Sequence, residues 1–129
     1  MSDTITTDTD RARFVPGSEV PIPWRDGAVV RVTEGYAAAA TAVRAVLIDV
    51  ATRRHLVSYG QLYALTGVAL FRAPNSIHAR HVFDLVALDA QAEGDPDPTS
   101  VLVRLDGVMP AAAVRVGPAA AWDRWAVAR

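Results

Sequence analysis

Cysteine is missing from all 129 residues and so is lysine, the 13 basic side chains being arginine throughout. Without thiols the chain has no disulfide, no thiolate zinc or iron-sulfur ligation and no cysteine nucleophile. It must be held by packing, and it is compatible with a reducing cytosol. The lack of lysine, beside abundant Ala and Val, reads chiefly as the coding bias of a GC-rich genome. Long hydrophobic runs are also lacking: nothing approaches the roughly 18 uninterrupted apolar residues of a membrane span. The polar, acidic start, Met1 to Arg13, has no apolar run of signal-peptide length, and Arg53-Arg54 lies too deep in the chain to be an export signal. A soluble, cytoplasmic protein with no membrane partner is expected.

The length fits one domain able to bury a core. Net charge is -1, which argues against strong nonspecific binding of nucleic acid, but the charge is unevenly spread. Residues 1 to 35 hold four Arg against six carboxylates, residues 36 to 85 five against two, and residues 86 to 129 four against six. His55, His78 and His81 all lie in the basic middle. Such a centre suits a protein that meets a polyanion with one face; a difference of a few charges also arises by chance.

Residues 1 to 13 lack periodicity and are expected to form a flexible N-terminal arm, leaving 14 to 129 as a single domain. Pro16, Gly17, Pro21 and Pro23 punctuate an extended stretch, and Asp26-Gly27 turns into the β-rich Ala28 to Val32, which predicts an edge hairpin or single strand packed onto the body by Trp24. From the N-cap Thr33, Tyr36, Ala40, Val43, Leu47 and Val50 recur at the spacing of one helical face, widened by Val46 and Ile48, so this helix is either central in the fold, the expected place, or partly buried against a second copy. Ser58 and Gln61 form a capping-box pattern and Gly67 a left-handed stop, bounding a helix of about two turns. Pro74 and the cap Asn75-Ser76 introduce a third helix to about Ala92. Ala79, Val82, Phe83, Val86 and Ala90 form its core face, and Arg80, His81, Asp84 and Gln91 lie opposite. After the Gly94 to Pro98 break, a strand is expected over Thr99 to Leu105. Asp106-Gly107 predicts a hairpin returning through Val108 to Val116, although Pro110 restricts that arm. Trp122 and Trp125, one helical turn apart, should dock a short last helix.

Helix, short helix, longer helix and hairpin is the element order of a winged helix-turn-helix. Val57-Ser58-Tyr59-Gly60-Gln61-Leu62 is similar to the Thr-Tyr-Gly-Glu/Gln-Leu/Ile opening of the winged helix in DNA alkyltransferase-like proteins. It also resembles a group of uncharacterised bacterial and phage winged-helix proteins, in which a Pro-x-Thr-x-Leu-Val-Val strand follows; Pro98 to Val103 approximates that strand. The resemblance covers about residues 43 to 125. It implies an α+β winged helix-turn-helix with three main helices, a C-terminal β-hairpin and a short last helix. The alkyltransferases need a cysteine in a Pro-Cys-His-Arg motif, and Ile77-His78-Ala79-Arg80 is no substitute, so the scaffold is implied without the transfer chemistry.

For reading DNA, the third helix offers Asn75, Ser76, His78, Arg80 and His81, with Arg72 before it, Arg104 in the hairpin, and Arg53 and Arg54 as phosphate contacts. Against this, Arg80 can pair with Asp84 at the i,i+4 spacing, and Arg53 and Arg54 can complement the carboxyl end of their helix. His78, His81 and Asp84 have a His-x-x-His-x-x-Asp spacing that puts nitrogen and oxygen donors on one helix edge, but a catalytic zinc needs a third strong ligand and an open position; no metal and no cofactor is assigned. Asp95 and Asp97 read as solvated turn residues. The aromatic residues Tyr36, Tyr59, Tyr63, Phe71, Phe83, Trp122 and Trp125 occur at positions expected for packing, so a base-stacking platform is not favoured. No nucleophile elbow, phosphate loop or paired catalytic carboxylates can be assembled, so no enzyme is expected. The expected function is a non-enzymatic winged-helix protein binding double-stranded DNA, a transcriptional or phage-encoded regulator. The alternative is a protein-protein interaction module or phage-encoded modulator on the same scaffold. A homodimer suits either. Convergence of the arginines on one face favours the first, and carboxylates interleaved with them favour the second.

Overall fold

Two proline- and glycine-marked turns shape the start of the chain in the computed structural model, which describes residues 13–67, 77–103 and 118–126. Strand β1 (Glu19–Pro21) pairs antiparallel with β2 (Val29–Arg31), Val20 facing Val30. Gly27 turns the corner at φ 71°, a conformation that costs glycine nothing. The predicted edge hairpin is therefore present. Val30 and Val32 are buried beneath it, while Trp24 stays partly exposed and is tied to the body through its indole N–H.

Helix α1 (Glu34–Thr52) begins where Thr33 Oγ1 accepts from the Tyr36 N–H, as expected of that cap. Its buried residues are Ala37, Ala39, Ala40, Val43, Leu47 and Ala51, and α3, α2 and the last helix all pack on it. By length and composition it is apolar enough to cross a membrane. That qualifies the expectation from uninterrupted runs: Arg44 and Asp49 break the run without bringing the average hydropathy below spanning level. Its small and branched side chains serve as the centre of the core.

Arg53 and Arg54 close α1 in a Schellman arrangement. The Arg54 N–H bonds the Ala51 carbonyl and the His55 N–H bonds that of Val50. Arg54 occupies the left-handed position with φ 54°. After this corner β3 (Val57–Ser58) leads directly into α2 (Tyr59–Thr66). The capping box is complete, with Ser58 Oγ accepting from the Gln61 N–H at 3.1 Å and Gln61 Oε1 accepting from the Ser58 N–H at 2.9 Å. Gly67 ends the helix at φ 69°.

Helix α3 (Ile77–Glu93) buries Ala79, Val82, Phe83, Val86 and Ala90, the face expected from the sequence. Asp84, expected opposite, is buried instead. Tyr36 meets His78 and His81 near the starts of α1 and α3, and Arg44 meets Asp89 further along both, so the two helices run in the same direction.

Where a strand was expected from Thr99, Pro98–Val101 forms a 3-10 turn, and among the described residues β4 covers Leu102–Val103. The reason is Asp97: its carboxylate accepts from both the N–H and the hydroxyl of Thr99 at 2.8 Å, fixing a turn that Pro98 is preorganised to enter. β4 pairs in parallel with β3. The final helix, α4 (Ala119–Ala126), docks through the Trp122 indole N–H, which donates to the His55 carbonyl at 2.9 Å. The α+β class is established, with four α-helices and a small antiparallel sheet among the described residues. The predicted hairpin at Asp106-Gly107 lies outside the described residues. So do residues 1–12 of the predicted arm, whereas Arg13 is fixed by Asp89 at 2.8 Å and Glu93 at 3.7 Å.

Candidate functional site

The residues expected to read DNA divide between the two ends of α1. His78, Arg80 and His81 lie in the first turns of α3, beside Tyr36. Arg53 and Arg54 lie past the other end of α1, 17 residues from Tyr36 and hence roughly 25 Å away at 1.5 Å per residue. Arg72, Asn75, Ser76 and Arg104 lie outside the described residues.

At the α3 end, two side chains turn away from the solvent face on which they were placed. Asp84 binds Arg25, with Nε to Oδ2 at 2.6 Å and Nη2 to Oδ1 at 3.1 Å, and it also accepts from Trp24 Nε1 at 3.2 Å. The expected Arg80 to Asp84 pair is therefore replaced by a clamp between α3 and the β1–β2 turn. The two-pronged Arg geometry satisfies a buried carboxylate better than an exposed i,i+4 partner can. His78 and His81 both direct Nδ1 at the Tyr36 hydroxyl, at 2.6 Å and 3.3 Å, with the His81 ring edge-on to Tyr36. Burial pulls the His81 pKa below the ordinary imidazole value of 6.5, and Arg80 pushes it the same way against the opposing pull of Asp84. His81 is therefore a neutral hydrogen-bonding group near neutral pH, not a cation for phosphate. Arg80 is exposed, and no carboxylate among the described residues pairs with it.

At the other end the arginines are neutralised. Arg53 pairs with Asp49 at 3.1 Å and Arg54 with Asp123 at 3.5 Å. The pattern holds across the described residues: Arg13 and Arg44 share Asp89, Arg31 faces Glu19 and Arg124 binds Asp95 at 2.7 Å. Asp95 and Asp97 are thus structural acceptors, not solvated turn residues. Carboxylates interleave with every described arginine except Arg80.

Between α1, the corner after it and α2 lies an open groove of about 420 Å³, lined by the apolar Val50, Leu56, Val57, Ala64 and Leu65 and the polar Asp49, Arg53, His55 and Gln61. Leu56 is 47% and Leu65 64% exposed, so two large apolar side chains of the groove lining face solvent. No family model matches this sequence, and no curated protein or solved structure matches it.

Sequence reasoning missed this groove and the role of Tyr36. A signal for the groove exists. At 100° per residue Leu65 lies about 60° from the buried Leu62 and about 120° from the buried Tyr59, at the edge of that face, so the two-turn α2 carries more apolar surface than its buried face requires. Nothing in the sequence pairs Tyr36 with residues more than 40 positions later. Among the described residues no three His, Cys, Asp or Glu side chains are grouped to hold a metal ion, because Asp84 faces Arg25 and leaves the two histidines without a carboxylate.

Proposed function

We propose that the chain is a protein-interaction module that takes a short, amphipathic, nearly uncharged segment of a partner protein into the groove between α1 and α2. The observation that carries this reading is the exposure of Leu56 and Leu65 in a mainly apolar groove whose two charged lining residues, Asp49 and Arg53, pair with each other. An apolar centre depleted of net charge and rimmed by polar groups has the anatomy of a protein-protein contact. The same neutralisation removes the excess cation that phosphate binding needs. A segment presenting two or three apolar side chains fits the floor, while His55 and Gln61 remain at the rim for hydrogen bonds.

The second reading, a winged-helix protein that binds double-stranded DNA, is favoured by one observation: Arg80 is exposed in the first turns of α3 with no described carboxylate on it. Comparative affinity capture from the native host separates the two. Proteins bound by the wild-type chain are expected to be lost with Leu65→Asp, which puts an unpaired carboxylate into the apolar contact, and retained with Arg80→Ala. Saturable binding to duplex DNA that weakens steeply with salt, is lost with Arg80→Ala and is indifferent to Leu65→Asp would reverse the assignment.

A further inference from the structure

We propose that Tyr36, His78 and His81 form a site for a divalent transition ion of borderline softness, such as Zn2+, at the shared N-terminal end of α1 and α3. His-x-x-His spacing stacks the two rings on adjacent turns of α3. Spacing alone leaves open where the rings point; here both Nδ1 atoms face one oxygen, at 2.6 Å and 3.3 Å. That oxygen comes from a separate helix. Donor atoms bound to zinc at about 2.0 to 2.1 Å in tetrahedral geometry stand roughly 3.3 Å from one another; the His81 nitrogen already stands at that separation from the phenol oxygen, and the His78 nitrogen, at 2.6 Å, must open slightly to admit an ion. Tyr36 thus supplies the third ligand that the sequence spacing sought in Asp84, whose oxygens are occupied by Arg25 and Trp24.

Donor chemistry selects the ion. Two imidazoles and a phenol suit zinc or copper, whereas calcium and magnesium require an oxygen cage that these residues do not make. His78 is exposed and Tyr36 half-buried, which leaves an approach from solvent and a fourth position for water. On binding, the phenolic proton leaves to solvent, and an imidazole carrying its proton on Nδ1 changes to the Nε2–H form, freeing the lone pair for the ion. Arg80 beside the site opposes a dication, but its exposed guanidinium is screened by water.

Calorimetric titration of Zn2+ into the untagged chain, with the histidine ring signals followed by NMR, tests the site. One ion per chain is expected, shifting the His78 and His81 rings and leaving His55 unmoved at the far end of α1. His78→Ala and His81→Ala should each weaken binding at least tenfold, Tyr36→Phe should weaken it severalfold, and His55→Ala should leave it unchanged. Absence of saturable one-to-one binding, equal weakening by His55→Ala, or full affinity in a folded Tyr36→Phe would overturn the proposal. Because the ring shifts are read on the wild type, a variant that fails to fold leaves the test decisive.

Discussion

Arg54 stands at φ 54° in a corner where glycine is the usual occupant, and its N–H is one of the two that close α1. A side chain with a Cβ in this conformation costs about 1 kcal/mol relative to glycine. The ion pair with Asp123 is exposed on both sides and returns little. Arg54→Gly is therefore expected to raise the thermal midpoint by a few degrees in calorimetry, while Asp123→Ala leaves it nearly unchanged; a fall with Arg54→Gly would show that the guanidinium's hold on α4 outweighs the backbone cost. Some residues were legible because their partners are local. Thr33, Ser58, Gln61 and Gly67 act on neighbours within one turn, so spacing reveals them. Tyr36 and Asp84 were not, because their roles depend on residues brought from 42 and 59 positions away.

The helices were legible for the same reason that the buried acid was not. Periodicity reports the average polarity of a face, and the core faces of α1 and α3 follow it closely. A single carboxylate on the polar side can still be drawn inward when another element supplies a matched donor, as the β1–β2 turn does with Arg25. That clamp fastens the hairpin to α3. Asp84→Ala leaves a guanidinium and an indole N–H without their acceptor, and is expected to lower stability by about 3 kcal/mol in urea unfolding. The double variant Arg25→Met, Asp84→Leu removes both charges together and should recover most of that loss. A loss in the double variant as large as in the single would show that hairpin packing, not the orphaned charge, sets the cost. The start of the strand expected from Thr99 failed at this scale too: the β-rich composition was outweighed over Thr99 to Val101 by the Asp97 cap acting on two groups of Thr99.

Across the whole molecule the sequence discloses how many charges there are and in which third they fall, but not which ones meet. The basic middle predicted a cationic face. In the fold Arg53, Arg54 and Arg44 each meet a carboxylate, and the one other described arginine of that middle third, Arg80, stands at the opposite end of α1 from the first two. What the surface presents in their place is the Leu56 and Leu65 groove, a feature composition cannot reveal because exposed leucines and buried ones are written alike. The most direct measurement is photo-crosslinking in the native host with a reactive amino acid placed at position 65 or at position 80. A discrete polypeptide adduct is expected from position 65, abolished by Leu56→Asp, and none from position 80. Nucleic acid captured at position 80, with no polypeptide at position 65, would contradict it.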